Sequence, residues 1–196
     1  MSSTAVKRAL THPDLVFTPR SMPLIIPNDT RYVASTNELL PILGEERASL
    51  KTVPETLRLL ETVNRPLAVL AISGPCRTGK SYILSRILGS TDDFALGHTF
   101  DPKTLGIWIG TTVVDCDEFT ILLMDTEGID SVFAKSRDDA SILVMTVLLS
   151  SYFIYNSVGV PHHNDLETMR YSGKCVVAHC WWFDWIWWWW REGGVY

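Results

Sequence analysis

The chain has little that would mark a nucleic-acid-binding, secreted or membrane-spanning protein. Its 17 Lys and Arg are outnumbered by 22 Asp and Glu, which gives a net charge of −5, whereas a nucleic-acid-binding surface is basic. The longest apolar run, Ser141–Ile154, is interrupted by Ser and Thr and is shorter than the roughly 20 residues of a membrane span. The four cysteines lack regular spacing, which is typical of reduced intracellular thiols. We therefore expect a cytoplasmic protein with no nucleic-acid partner.

We expect no targeting signal at either end of the sequence. The first residues, 1–8, lead into polar, proline-containing sequence rather than the apolar core of a signal peptide. The last four, Gly193–Tyr196, do not form a prenylation box. We expect no stable lipid anchor and at most peripheral membrane contact. With 196 residues, of which 46% are hydrophobic, the chain has the size of a single domain.

The chain does contain a phosphate-binding pattern, Gly74–Ser81, with the sequence Gly-Pro-Cys-Arg-Thr-Gly-Lys-Ser. In the pattern G-x-x-x-x-G-K-[ST], the glycines let backbone N–H groups surround phosphate oxygens, and the following helix points its N-terminus at the same anion. An apolar run at 67–72 precedes the pattern and an apolar helical pattern at 81–88 follows it. This order favours a phosphate-binding loop over an ordinary glycine-rich turn. Lys80 is then expected to contact the β- and γ-phosphates, and Ser81 to ligate Mg²⁺.

A second phosphate-sensing element is predicted at residues 119–128. The apolar run 119–124 indicates a strand buried on both faces of a parallel sheet, and Asp-Thr-Glu-Gly follows at 125–128. Ligands bind at the carboxyl ends of such strands. We expect Asp125 to contact the metal through water, Glu127 to orient the attacking water, and the N–H of Gly128 to approach the γ-phosphate.

A polar loop at 96–108 lies between the two motifs and carries Thr104. In a switch-type triphosphatase a threonine from such a loop ligates Mg²⁺ and orders the loop while the γ-phosphate is present. Thr104 is our candidate for this residue. The alternative is a solvated turn rich in Thr, Pro and Gly.

Five sequence strings together resemble the large interferon-inducible guanylate-binding proteins, which are dynamin-like GTPases. They lie at 74–84, 94–99, 103–108, 122–129 and 147–159. Atlastins share much of this pattern, but the Leu-Leu-Ser-Ser-x-Phe-x-Tyr-Asn-Ser block at 148–157 is more similar to the guanylate-binding branch. The resemblance extends from about Pro54 to about Tyr171.

The resemblance implies a GTPase with its own catalytic arginine. In the family an arginine of the phosphate loop acts as a finger in cis, and Arg77 stands at that position. Arginine fingers contribute about 10³–10⁵ in rate. The alternative is a loop arginine that pairs with a surface carboxylate. Beyond the enzyme itself, the resemblance implies GTP as substrate, Mg²⁺ as cofactor, homo- or hetero-dimerisation through the GTPase-domain face, and a role in innate immunity.

By the same resemblance, the catalytic residues are Arg77, Lys80, Thr104 and Glu127, and the metal ligands are Ser81 and Thr104. The implied nucleotide-binding set is Gly74, Arg77, Thr78, Gly79, Lys80, Ser81, Tyr82, Leu96, Gly97, His98, Asp125, Thr126, Glu127, Gly128 and Ile129.

Two departures from the family pattern affect the expected chemistry. Pro102 stands two residues before Thr104, where the family commonly has a Ser that helps to place the hydrolytic water, and proline offers neither hydroxyl nor N–H. No Thr-x-Arg-Asp or Asn/Thr-Lys-x-Asp string follows residue 157, and Arg137-Asp138 precedes the helical run 142–149. Without a base-reading carboxylate we expect guanine preference to be largely lost, while phosphate and Mg²⁺ affinity survive.

The C-terminal segment is unusual, because seven of the eight tryptophans fall within residues 181–190. Three interpretations are open: an interfacial membrane anchor, a replacement strand at Cys175–Ala178 that covers the sheet edge, and a tail without selected structure. We favour the last, because so many indole rings cannot all find core space and N–H partners in a short segment.

In the first third of the chain, residues 22–26 suggest an edge strand, residues 37–43 and 54–62 suggest short helices, and residues 1–20 are expected to be disordered. The domain prediction is a disordered 1–20, a partial large-GTPase domain at 21–171, and an atypical Trp-rich tail at 172–196. The predicted fold is α/β, a three-layer P-loop GTPase domain with a mainly parallel sheet that is truncated after its fourth core strand. The predicted function is GTP binding and hydrolysis. The alternative is a non-hydrolysing nucleotide-binding or dimerising module that regulates full-length relatives.

Overall fold

The computed structural model describes residues 5–15, 18–75, 78–89, 105–126, 136–157 and 176–179, with the backbone alone at 136–140 and 176–179. The strands in these ranges are β1 (Val6–Ala9), β2 (Ser21–Pro27), β3 (Thr30–Val33), β4 (Glu38–Pro41), β5 (Leu50–Thr52), β6 (Leu67–Ser73), β7 (Ile107–Gly110), β8 (Thr112–Asp115), β9 (Thr120–Thr126), β10 (Tyr152–Ser157) and β11 (Val176–His179). The helices are α1 (Pro54–Glu61), α2 (Lys80–Ile87) and α3 (Ser136–Leu149).

Strand β6 is the centre of a parallel half-sheet. It pairs with β10 on one side and with β9 on the other, and β11 adds to the outer side of β10. In these registers Ser73 lies opposite Tyr155, and Ile72 lies opposite Asp125. The carboxyl ends of β10, β6 and β9 are therefore level at one edge of the sheet. The sequence Leu-Ala-Val-Leu-Ala-Ile-Ser of β6 suits this position, because a parallel strand covered on both faces is apolar on both faces.

The other half of the sheet is antiparallel, so the prediction of a mainly parallel sheet holds only around β6. Strands β7 and β8 both run back along β9, β2 pairs with β7 and β5, and β1 pairs with β8. The connection from β8 to β9 is a tight turn in which Cys116 N–H donates to the Phe119 carbonyl over 2.8 Å. So short a connection can join only antiparallel strands.

Helices cover both faces of the sheet and give it three layers. Side chains on the two faces of β6 belong to two different clusters of buried residues. Val69 and Ala71 pack in the cluster that contains Leu59 of α1 with Ile142 and Leu143 of α3. Ile72 packs in the cluster of Ile83, Leu84 and Leu88 from the α2 segment. The α/β class and the three-layer arrangement are thus confirmed.

Three of the predicted helices form and one does not, and α3 contains the helical run predicted at 142–149. Helix α1 matches the prediction for 54–62, and α2 follows the phosphate-binding pattern with Gly89 just beyond it at φ +66°. The helix predicted at 37–43 is wrong, because this segment is half of the antiparallel hairpin β3–β4. Asn37 adopts a left-handed conformation at φ 57°, and the Tyr32 hydroxyl hydrogen-bonds its side-chain oxygen at 3.0 Å. These features favour a turn between strands over helix initiation.

Two further predictions for the N-terminal region are corrected. Strand β2 is not an edge strand, since it has partners on both sides. Residues 6–9, predicted to be disordered, form β1. Three contacts fix this strand: Lys7 Nζ donates to the Leu88 carbonyl, Arg8 forms an ion pair with Asp115, and Leu10 is buried in the core just after the strand.

At the edge of the sheet beyond β10, β11 pairs in parallel with β10, with Asn156 opposite Ala178. This pairing agrees with the interpretation of a replacement strand at Cys175–Ala178 and not with an entirely unstructured tail. The tryptophans at 181–190 lie outside the described residues. Among the helices that are described, none is both long enough and apolar enough to cross a bilayer.

The contacts of Asp115 predict how docking of β1 responds to pH. Arg8 Nε donates to its carboxylate at 2.7 Å and Thr120 Oγ1 at 2.6 Å, and these bonds lower the pKa of Asp115 to about 2. Asp115→Asn should therefore reduce the free energy of unfolding by about 1 kcal/mol at pH 7.

Because the folded-state pKa is depressed, the contribution of Asp115 is complete above pH 4 and is lost as the pH falls towards 2. Urea titrations at pH 7, 4 and 2 should show that the difference in the free energy of unfolding between wild type and variant is much smaller at pH 2 than at pH 7. Asp117→Asn, in the adjacent exposed turn, is the control. A difference that is the same at all three pH values would contradict the prediction.

Candidate phosphate-binding site

The site begins where β6 ends, at Gly74. Its φ is +139°, and a Cβ built at this position would lie 2.1 Å from the backbone oxygen of Asn156. No side chain fits in that gap, and the backbone conformation also favours glycine. The loop therefore leaves the sheet in direct contact with the neighbouring strand β10.

The loop then turns sharply into helix α2. Thr78 Oγ1 donates to the Pro75 carbonyl at 3.0 Å, and Gly79 takes a left-handed conformation at φ +84° as the residue that precedes the helix. Gly79, the N-cap residue, has no side chain with which to cap this helix end. The first N–H groups of a helix have no partner within the helix, and together with the helix dipole they form an anion-binding site. The local sequence thus leaves the N-terminus of α2 available to a phosphate.

Lys80, the first residue of α2, lies inside this loop. Its side chain is 6% exposed, and Nζ donates to the Pro75 carbonyl at 2.8 Å. The ammonium also lowers the pKa of Asp125 by Coulomb interaction, so the two charged groups are close. This bond is already charge-assisted by the ammonium, and a phosphate oxygen in place of the neutral carbonyl would add the attraction of an opposite charge.

Asp125 on β9 completes the described part of the site. Ser81 Oγ donates to its Oδ2, and the Thr126 N–H donates to its Oδ1 at 3.0 Å. The carboxyl is only 1% exposed, and this burial raises its pKa to about 6 although Lys80 and the two hydrogen bonds act in the opposite direction. The site therefore holds a carboxylate whose negative charge is expensive to keep in the absence of a further positive charge.

These residues fit Mg²⁺, the metal predicted from the sequence. A serine hydroxyl and a carboxylate are the hard oxygen donors that this ion prefers, and it usually takes only one or two protein ligands beside phosphate oxygens and water. Ser81 and Asp125 already lie in contact. A divalent cation between them would offset the burial of the carboxylate charge.

The structure brings the phosphate-binding loop and the start of α2 together with the carboxyl end of β9. The carboxyl ends of β6 and β9, the loop between β6 and α2, and the first turn of α2 together carry Gly74, Thr78, Gly79, Lys80, Ser81, Asp125 and Thr126. Tyr82 is 47% exposed on α2, and the Thr126 hydroxyl donates to the Ile72 carbonyl at 3.1 Å, which links two strands. Outside the described residues lie Arg77, Leu96, Gly97, His98, Pro102, Thr104, Glu127, Gly128 and Ile129.

One residue of the site was missed by sequence reasoning. Asn156 on β10 is 2% exposed, and its Nδ2 donates to the Thr78 carbonyl at 2.8 Å. A polar residue at the end of the otherwise apolar run Phe-Ile-Tyr was a signal, because the carboxyl ends of parallel strands carry functional groups. The spacing alone could not indicate which loop it would contact.

Comparison with known proteins finds relatives of this chain. The family described as the guanylate-binding protein, N-terminal domain, matches residues 47–176. Mouse guanylate-binding protein 7 and human guanylate-binding protein 4 are each 36% identical over 132 residues, which cover 66% of this chain and 21% of theirs. Human guanylate-binding protein 7 is 39% identical over 119 residues, 60% of this chain and 19% of its own. The chain thus spans about a fifth of the length of the curated relatives it matches.

Likeness to solved structures is partial. A crystal structure of Aquifex aeolicus Era bound to GDP and AlF4− is 17% identical with a TM-score of 0.40, covering 57% of this chain and 40% of that one. The G domain of the T. maritima iron transporter FeoB is 20% identical with a TM-score of 0.37, covering 58% of this chain and 71% of that one.

From the burial of the Asp125 carboxyl we predict that a variant without its charge is more stable than wild type. Because the folded-state pKa of Asp125 is raised to about 6, its stabilising contribution is complete below pH 4 and is lost as the pH rises through 6. Without Mg²⁺ or nucleotide, Asp125→Asn should be more stable than wild type by about 2–3 kcal/mol at pH 7.5.

Chemical denaturation in a chelating buffer at pH 7.5, 6 and 4 measures this difference, which should disappear at pH 4. Asp115→Asn provides a matched control, because its carboxyl is shifted in the other direction and its effect has the opposite sign. A variant less stable than wild type at pH 7.5 would contradict the prediction.

Proposed function

The chain belongs to the family of the guanylate-binding protein N-terminal domain, and from this membership we propose that it binds GTP with Mg²⁺ and hydrolyses it. The observation that carries the proposal is the meeting of Lys80, Ser81 and Asp125 at the level carboxyl ends of β6 and β9. A buried ammonium, a hydroxyl and a carboxylate in this arrangement are what a metal–triphosphate complex requires.

Binding is proposed to exchange internal contacts of the site for contacts with the metal and the phosphates. Lys80 Nζ gives up the Pro75 carbonyl for β- and γ-phosphate oxygens, and Ser81 Oγ gives up the Asp125 carboxylate for the metal. The backbone N–H groups at the start of α2 point to the same phosphates. When bound, Mg²⁺ neutralises charge on the phosphate oxygens. Asp125 would hold the ion through water and regain its ionised form.

Hydrolysis is assigned to residues named from the family resemblance. Arg77 neutralises charge that develops between the β- and γ-phosphates, Glu127 orients the attacking water, and Thr104 contributes its hydroxyl to the metal and reports the γ-phosphate to its own loop. Dimerisation through the nucleotide-binding face, in the cytoplasm, completes the proposal for this chain. We place the GTPase-domain part at residues 21–171.

Titration with a fluorescent GTP analogue and Mg²⁺ tests the binding step. Lys80→Ala should abolish binding, since the loop loses its only buried ammonium among the described residues. Lys51→Ala is the matched control, because Lys51 Nζ also donates to a backbone carbonyl, that of Asn28 at 2.9 Å, but on β5. Wild type and Lys51→Ala should bind equally, and absence of binding by folded wild-type protein would overturn the proposal.

Excess ATP in the same titration tests base recognition. The chain has no Thr-x-Arg-Asp string after residue 157, so ATP should compete about as well as unlabelled GTP. Binding that ATP cannot displace would mean that guanine is read by other groups of this chain.

A non-hydrolysing module is the second candidate, favoured by Pro102 in place of the family's Ser. Such a chain would bind nucleotide and associate with full-length relatives without turnover. Pro102→Ser separates the candidates: a rise in kcat from a measurable wild-type value supports the enzyme, whereas wild-type binding without any turnover supports the module.

The arginine of the loop gives the sharpest prediction for catalysis. Arg77→Ala should lower kcat by about 10³–10⁵ while the affinity for GTP changes little, because an arginine finger acts on charge that appears only in the transition state. Arg77→Lys should not restore the rate, because an ammonium lacks the planar, forked donors. Single-turnover hydrolysis measures both, with Arg86→Ala in the last turn of α2 as control. An unchanged kcat would contradict the catalytic role and favour the alternative, in which Arg77 pairs with a surface carboxylate.

A further inference from the structure

Asn156 contacts the phosphate-binding loop at both of the loop's ends. Its backbone oxygen occupies the space beside Gly74, where the loop leaves β6, and its side-chain Nδ2 donates to the carbonyl of Thr78, where the loop enters α2. We propose that Asn156 is a positioning residue that sets the orientation of this loop for phosphate. The inference rests on the proposed phosphate-binding function and deepens it.

The side-chain bond fixes one peptide unit of the loop. In a trans peptide the C=O and the following N–H point in opposite directions. When Nδ2 of Asn156 holds the Thr78 carbonyl towards β10, the N–H of Gly79 must point away from β10. Loops of this type bind phosphate through N–H groups that all point into one cradle. Asn156 thus directs a phosphate donor that it does not itself touch.

The loop needs such a restraint because of its own sequence. Gly79 is in the left-handed region at φ +84°, and a Cβ at this position would meet nothing within 4 Å. Glycine therefore leaves the peptide that joins it to Thr78 without the steric limit that a Cβ packed against described atoms would impose. The 2.8 Å bond from Asn156 supplies the missing limit.

The support behind Asn156 is rigid. Its strand is held on both sides, with Tyr155 opposite Ser73 of β6 and Asn156 opposite Ala178 of β11. The residue is also fully enclosed by the fold. A donor on a strand with two partners keeps its position better than a donor on a loop.

A purely structural role would satisfy a buried amide and stabilise the sheet without affecting ligand. The two roles differ in what they change. Loss of a structural bond lowers stability only, whereas loss of the positioning bond lowers affinity for the phosphate chain, whatever base it carries. Inorganic tripolyphosphate is therefore the probe, because it contacts the loop and nothing that reads a base.

The test measures tripolyphosphate binding with Mg²⁺ by calorimetry, and thermal unfolding, for Asn156→Leu and Asn156→Ala. Leucine keeps the branched shape of asparagine without the donor. Both variants should bind tripolyphosphate, GTP and ATP more weakly by the same factor, about three- to tenfold, which is the contribution of one neutral hydrogen bond. Thr56→Val is the matched control, because Thr56 Oγ1 donates to the Pro23 carbonyl at 2.6 Å on the far side of the sheet.

The control should lose stability but keep wild-type affinity. Asn156 variants that fold and bind tripolyphosphate like wild type would overturn the inference. So would Asn156 variants that unfold outright while Thr56→Val stays folded, since Asn156 would then be a core residue. If wild type itself bound no tripolyphosphate while Lys80→Ala behaved the same, the proposed function would fail rather than the role of Asn156.

Discussion

The parallel pairing of β6 with a strand on each side is the constraint on which the site depends. Parallel neighbours place their carboxyl ends at the same edge, so three strands separated by long stretches of sequence deliver Gly74, Asp125 and Asn156 to one place. The apolar sequence of β6 suits this central position. A strand in the middle layer of a three-layer domain is covered by helices on both faces, so its side chains on both faces are apolar. The polar groups of the site begin where the apolar runs stop.

This edge of the sheet holds two charged groups that are shielded from solvent. Lys80 and Asp125 are both buried, and burial of ionised groups costs free energy that their mutual attraction repays only in part. Hydrogen bonds from Ser81 and the Thr126 backbone reduce the cost without removing it. Such a site is less stable alone than with a ligand, which is expected where evolution retains residues for binding rather than for folding.

Elements with a strong local signal were predictable from sequence. The phosphate-binding pattern, β6, β9, α1 and α2 are each specified by contiguous residues: apolar runs, glycines at special backbone angles, and a proline at the first turn of α1. Ser81 and Asp125 were predicted to serve the same metal, but their direct hydrogen bond was not predicted. The roles of Arg77, Thr104 and Glu127 stay predictions.

Features that depend on distant partners were not predictable. The segment 37–43 has a helical spacing of leucines, but the turn at Asn37 and pairing with β3 decide its structure. The sequence of β1 is polar and carries no local strand signal, because its conformation depends on pairing with β8. Asn156 could be seen as an oddly placed polar residue, but its contact with Thr78 spans 78 positions in sequence. Spacing carries no information at that range.

The pairing of β1 with β8 also has a temporal consequence. Arg8 and Asp115 are 107 positions apart, and a ribosome adds about 5–20 residues per second. The first strand of the chain therefore waits about 5–20 s during synthesis before its partner exists, and it closes the sheet only after the turn into β9 has been made. Closing a loop of that length costs conformational entropy, and contacts of such high sequence separation are associated with slow folding. Strand β1 is thus without its partner β8 for most of the synthesis of this region, and during that time it is open to competing partners.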